Sequence, residues 1–361
     1  MNRTNDTVSP ARKSVAQADV ALRWMIFLFV VVLGLAYVKW IPYYQRALFA
    51  ASHHSIGASI LTGAATNPPP PSLSAALDYA WTYTKAIWKA LLLGLLVGSA
   101  IPILIPPHWI TRVLGATGFR GVATAGLLSV PGMMCTCCAA PVVAGLRARR
   151  ASPGAAIAFW LGNTMLNPAT LVFMGFVLGW HWSLLRVAFG LLMVFGLGRL
   201  IDQLGGSTQA APATMPTDAD AGGGEAGNVF ARWAKLLLQM AVRLIPEYLI
   251  LVLLLGATRA WLFPHIGPDV GNELMWIVAF AVAGSLFVIP TAGEVPIVQS
   301  MLLLGVGAGP AAALLVTLPP ISVPSLAMLA PSFPLRVLAL VAVSVVALGV
   351  LASFAAISLG F

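Results

Sequence analysis

A chain of 361 residues that is 59% hydrophobic and only 9% charged is far from the roughly one-quarter charged share of soluble domains, which excludes a water-soluble globular fold. The net charge of +9 would point to nucleic acid in a soluble chain. Here the cations sit singly or in short groups at the ends of apolar runs, as in cytoplasmic loops of membrane proteins, and no basic stripe or recognition motif is present.

Apolar runs of about 20 residues, the length needed to cross the hydrocarbon core as a helix, recur from one end of the chain to the other. About nine are read, over 23 to 41, 81 to 105, 121 to 146, 153 to 179, 183 to 201, 236 to 263, 273 to 303, 309 to 330 and 334 to 358. The expected fold is an all-α integral membrane protein. Residues 1–22, with Arg3, Arg12 and Lys13, form a cytoplasmic tail, and 23–75 hold an extra amino-terminal transmembrane helix and an external loop. The first apolar run ends at Lys39 to Trp40 and Pro42 with no small-residue cleavage site, so it reads as a retained helix rather than a signal peptide.

Two halves follow, 76–201 and 230–361, separated by 202–229, a Gly-, Ala-, Ser-, Thr- and Pro-rich stretch with four acidic residues and no cation that reads as a flexible cytoplasmic linker. The halves share a cadence of prolines: Pro131, Pro141, Pro153 and Pro168 in the first, Pro290, Pro296, Pro310 and Pro324 in the second. If the segment bearing Pro131 and Pro141 dips in and returns, then Arg112, Arg120, the cluster Arg147, Arg149 and Arg150, and Arg199 all lie inside, in keeping with the bias of cations toward the cytoplasm. The second half then starts on the opposite side, as in inverted repeats whose discontinuous segments meet near the midplane and form a binding site. This topology sets Lys85 and Lys89 near the outer surface, where they fit poorly. The other reading of the prolines is that they kink continuous helices.

The residues able to carry chemistry lie at these prolines. Cys135, Cys137 and Cys138, all the cysteines of the chain, fall within four positions; so close a set cannot staple distant parts of a fold, and a disulfide framework is excluded. Thiolates are soft ligands suited to a thiophilic metalloid or metal. On a regular helix Cys135 and Cys138 share a face and Cys137 points elsewhere; a broken helix could gather all three. The plainer reading is that cysteine is a small, readily buried residue. Glu294, in "FVIPTAGEVPIVQS", stands in the second half where the cysteines stand in the first, and a carboxylate in a membrane segment is by default a functional-site hypothesis, for proton coupling or contact with solute, against a reading as a solvated surface group. Asn163 and Asn167, in "WLGNTMLNPATL", either line a pathway or bond across helices. No nucleotide-binding loop and no metallohydrolase or nucleophile-elbow motif is present, so neither an ATP-driven pump nor an intramembrane hydrolase is expected, and no cofactor.

"PGMMCTCCAAPVVAGLRARRASPGAAIAFWLGNTMLNPATLVFMGFVLGW" together with "IPTAGEVPIVQSMLLLGVGAGPAAALL" resembles the bacterial predicted-permease family that includes organoarsenical efflux permeases, over about residues 75 to 361. The resemblance implies a multi-spanning permease of the bacterial inner membrane; some relatives export trivalent organoarsenicals with motif cysteines taking part. The family motif is similar to C-S-C-G. Cys135 and Cys137 match its first and third positions, and Cys138 stands where the family has glycine, a departure that bears on the solute. The expectation is a permease or secondary transporter for a thiophilic small solute, contacted by Cys135, Cys137, Cys138, Glu294, Asn163 and Asn167, with broken helices at Pro131, Pro141, Pro290 and Pro296. The rivals are a permease for another solute with structural cysteines, and a membrane thiol-redox or sulfur-handling protein.

Overall fold

The structure is a computed structural model and describes residues 24–61, 68–105, 107–115, 117–204, 229–263 and 266–361. Among these residues every regular element is helical. The expected tail 1–22 and most of the expected linker lie outside the described residues; residues 202–204 of that linker continue a helix instead.

Fourteen helices follow in chain order: α1 (Trp24–His53), α2 (Leu73–Leu104), α3 (Pro107–Val113), α4 (Phe119–Ser129), α5 (Thr136–Ala148), α6 (Pro153–Met165), α7 (Pro168–Val177), α8 (Trp180–Leu204), α9 (Val229–Leu262), α10 (Leu274–Leu286), α11 (Glu294–Leu303), α12 (Ala308–Thr317), α13 (Val323–Leu329) and α14 (Leu335–Ser358). Among the described residues six helical stretches are long and apolar enough to cross a membrane: α1, α2, the α6–α7 pair, α8, α9 and α14. The sequence reading expects about nine. The difference of three lies at 121 to 146, 273 to 303 and 309 to 330, where each expected segment is a pair of helices too short to cross alone, α4–α5, α10–α11 and α12–α13.

Proline placement explains the pairs. Pro153, Pro168 and Pro324 stand in the first turns of α6, α7 and α13, where a missing N–H has no intrahelical acceptor to lose. Side chains of Ser152, Asn167 and Ser322 cap those same turns. Of the four prolines expected to break helices, Pro131 and Pro290 lie in non-α backbone between paired helices. Pro141 instead sits inside α5 without ending it, and Pro296 lies in the first turn of α11, where proline is tolerated. At Pro131 and Pro290 kinking of a continuous helix is also set aside, because Met133 (φ 48°) and Ala292 (φ 68°) are left-handed and Cys135 and Phe287 are extended; Pro141 lies within a continuous helix, as that reading allows. The first helix does not stop at 41. A π turn over Ala36–Trp40 shifts the hydrogen-bond ladder just ahead of Pro42, and the helix runs on to His53.

Apart from α3, which the second half lacks, the residues 73–204 and 229–358 follow one order of elements: a long helix, two pairs of broken helices and a long helix. Small residues make the pairs pack. α6 ("PGAAIAFWLGNTM") and α12 ("AGPAAALLVT") are almost wholly buried, α6 between α4 and α8, α12 between α10 and α14. α2 packs on α5 and α9, and the halves join through α5 with α13, α7 with α11 and α8 with α12. Large apolar side chains on α1, α9 and α14, such as Phe29, Leu238 and Val343, face outward, the pattern of a lipid-facing perimeter. α2, 32 residues and so about 48 Å long, exceeds the ~30 Å hydrocarbon core. Lys85 lies over the ring of Trp81 and Lys89 over those of Tyr37 and Trp88, which gives these awkward cations amphipathic partners suited to the interface.

One end of the first half is tied by Asp202, buried near the end of α8. Its carboxylate accepts from Gly118 N (3.0 Å), Ser152 Oγ (3.2 Å) and Gly154 N (2.7 Å). Asp202→Ala would leave two backbone N–H groups without their acceptor. It is expected to lower stability by about 2–3 kcal/mol, read as a fall in the thermal midpoint of the detergent-purified protein.

Candidate functional site

Residues from all four breaks line one small cavity of about 10 Å³: Met134, Cys135 and Thr136 from the α4–α5 break, Thr164 and Thr170 beside the α6–α7 break, Ile289 to Ala292 with Glu294 from the α10–α11 break, and Pro319 from the α12–α13 break. That is room for about one water. Each break is pinned by named donors. Trp40 Nε1 donates to Pro131 O (2.9 Å) and Trp160 Nε1 to Thr136 O (3.1 Å). Tyr79 Oη donates to Val288 O, and Tyr83 Oη to Ile289 O (3.4 Å). Asn167 Oδ1 accepts from Ala169 N and Thr170 N, and Ser322 and Ser325 form a reciprocal capping box.

The strongest interaction at the cavity is the ion pair of Arg186, on α8, with Glu294, the first residue of α11. Both are 1% exposed. The same guanidinium donates from Nη2 to Thr164 O (2.7 Å) and from Nε to Met165 O (3.3 Å), carbonyls at the carboxyl end of α6. Arg186 therefore neutralises Glu294 and satisfies carbonyls that lose their partners where α6 stops. The reading of Glu294 as a solvated surface group is overturned by its burial.

The cysteines divide as a regular helix requires. Cys135 stands at the N-cap position of α5 with Cys138 one turn on, and the Cys137 thiol lies 3.9 Å from the hydroxyls of Thr136 and Ser322. All three are free and buried. The gathering of all three that a broken helix could allow is absent, and among the described residues no group of three or more His, Cys, Asp or Glu is placed to hold a metal ion. The reason is local: the break ends at Cys135, so Cys137 and Cys138 already lie in helical turns. Only Cys135 of the three lines the small cavity.

Neither asparagine lines it. Asn163 donates from Nδ2 to Phe159 O (2.8 Å), and a Cβ on Gly132 would strike its Oδ1, so it supports the first break from behind. Asn167 caps α7. Asn163 Oδ1, Asn167 Nδ2 and Thr170 Oγ1 are buried without a hydrogen-bond partner.

A larger cavity of about 580 Å³ opens beside the small one, bounded by α1, the segment 56–60, α2, α9 and the α10–α11 break. Pro290, Thr291 and Ala292 line both cavities and form the wall between them. Lys39 crosses to this wall, donating to Thr291 Oγ1 (3.2 Å) and Tyr43 Oη (3.1 Å). Sequence reasoning missed both Arg186 and Lys39. Arg186 is a cation inside the apolar run 183 to 201, away from its carboxyl-terminal Arg199, the same signal that singles out Glu294; the Lys39 signal is hidden because Pro42 reads as a helix end.

Residues 72–357 match the family model ArsP_1, described as predicted permease. The chain is 51% identical over 348 residues to the UPF0718 protein YraQ of Escherichia coli (strain K12), covering 94% of this chain and 98% of that protein. No solved structure matches.

Proposed function

The chain belongs to the predicted-permease family, and we propose that it carries a small solute across the bacterial inner membrane between the two halves, through the point where their broken helices meet. The observation that carries this reading is the single cavity lined from all four breaks, since irregular backbone at membrane depth persists where it lines a path or is satisfied by protein. The repeated element order supports two halves of inverted topology, each broken pair serving as one segment, with the amino terminus inside by the placement of cations.

Cys135 and Cys138 are the residues suited to a thiophilic solute such as a trivalent organoarsenical, because thiols one helical turn apart share a face and can both reach one soft centre. Cys137, held against Thr136 and Ser322, favours a structural role for that thiol. Glu294 acts by neutralising Arg186. A thiol-redox protein needs an accessible thiol, and burial of all three weighs against it.

The test is binding of phenylarsine oxide to detergent-purified protein. Cys135→Ser and Cys138→Ser are each expected to lose binding, and Cys137→Ser to keep it. Equal binding in all variants would sink the thiol site. Flux in everted vesicles tests transport itself: arsenical uptake above that of empty vesicles supports export, and absence of flux for every solute tried removes the permease reading.

A further inference from the structure

The larger cavity has an unbalanced charge. Lys39, Arg46 and Arg259 line it against one carboxylate, Asp78. Arg259 is buried over the ring of Tyr79, and Arg46 donates to Ile56 O (3.0 Å). Lys39 is 5% exposed, and both of its described hydrogen bonds go to neutral hydroxyls. Among the described residues the one carboxylate held in an ion pair is Glu294, by Arg186. Lys39 has no carboxylate partner among the described residues, and the ionisable groups near it are Tyr43 and the thiols Cys135 and Cys138; a buried ammonium so placed is costly at membrane depth and marks an ion path or an anion site.

Beyond Lys39 the small cavity holds the balanced pair Arg186–Glu294, so what it adds for an anion is backbone and hydroxyl donors. Across the Pro290–Ala292 wall lie the amino-terminal turns of α5 and α11, with Thr170 from the first turn of α7. Helix amino termini carry partial positive charge and free N–H donors. Thr170, 1% exposed, lines the small cavity with its hydroxyl unpartnered.

We propose that the solute of this permease is a small anion, received in the larger cavity by Lys39, Arg46 and Arg259 and passed across the Pro290–Ala292 wall to the amino-terminal turns around Thr170. The proposal rests on the permease reading and is independent of the arsenical. Low-dielectric walls lined by one sign of charge focus the field and raise the local concentration of the opposite ion.

The experiment needs no knowledge of the solute. A single cysteine is introduced at one of two exposed lining positions, by Ala58→Cys or by Thr82→Cys, and the purified protein is held in nonionic detergent so that both faces are open. Its rate of reaction with the anionic probe 2-sulfonatoethyl methanethiosulfonate is compared with that for the cationic 2-(trimethylammonium)ethyl methanethiosulfonate. Each rate is divided by the probe's rate with free 2-mercaptoethanol, and labelling of the parent protein is subtracted. The normalised anion-to-cation ratio is expected to be about tenfold or more at low salt, and to fall toward one at about 1 M salt. Lys39→Gln and Arg46→Gln should each lower it, while Lys39→Arg retains it. A ratio at or below one at both sites overturns the anion class, and a high ratio unmoved by salt or by removal of the cations overturns its assignment to these residues. Solute flux is not read in this assay, so either failure leaves the permease reading to the vesicle measurement.

Discussion

Arg186→Met should destabilise the protein by about 3–5 kcal/mol, the cost of leaving one member of a buried ion pair without the other. The substitution strands the Glu294 carboxylate at 1% exposure and also removes donors from Thr164 O and Met165 O. Adding Glu294→Gln to Arg186→Met should recover much of the loss, because deleting both charges of a buried pair is often close to neutral. Thermal midpoints of the two single variants and the double variant in one detergent measure the coupling as a double-mutant cycle. A coupling below about 0.5 kcal/mol would show that the pair does not hold α8 to α11. The double variant also separates roles: if Glu294 only balances Arg186, vesicle flux should persist in it, whereas a proton-carrying Glu294 would take flux with it.

Gly98→Val is the second large effect. α2 crosses α5 at the turn that carries the cysteines. A Cβ at Gly98 would lie 2.5 Å from Pro141 C and 2.9 Å from Val142 N, while one at Gly94 would strike Cys138 O. These neighbours are backbone, and no rotamer change can clear them. Valine at 98 must therefore push α2 off α5 and disrupt packing within the first half, at about 3 kcal/mol, seen as loss of a monodisperse peak after detergent extraction. Gly196→Ala is the control, since its added Cβ meets open space. If Gly98→Val survives extraction as well as that control, the close α2–α5 crossing is wrong, and the placement of Cys138 that depends on it fails too.

Much of this organisation is legible in the sequence because its physical cause is local. Apolar runs of bilayer length require helices, prolines beside capping Ser and Asn start new ones, and the division of Cys135 and Cys138 from Cys137 follows from helical spacing alone. The isolated Glu294 stands out because a carboxylate in such a run is rare. Arg186 carries the same signal; Lys39 is hidden because Pro42 reads as a helix end, while a π turn over Ala36–Trp40 carries the helix past it. The asparagines show the limit from the other side, since amides in an apolar segment serve equally as linings or as caps, and here Asn167 caps α7 while Asn163 supports Gly132.

By itself, then, the sequence determined an all-helical, multi-spanning membrane protein, since hydrophobic length and backbone hydrogen bonding in lipid admit little else. Tertiary structure decided the rest. It joined Arg186 to Glu294 across 108 positions, brought Lys39 to Thr291 across 252, and set four breaks around one cavity. Those choices depend on which small-residue faces pack together. Contacts of that kind are made between segments far apart in the chain, so no local period or propensity records them.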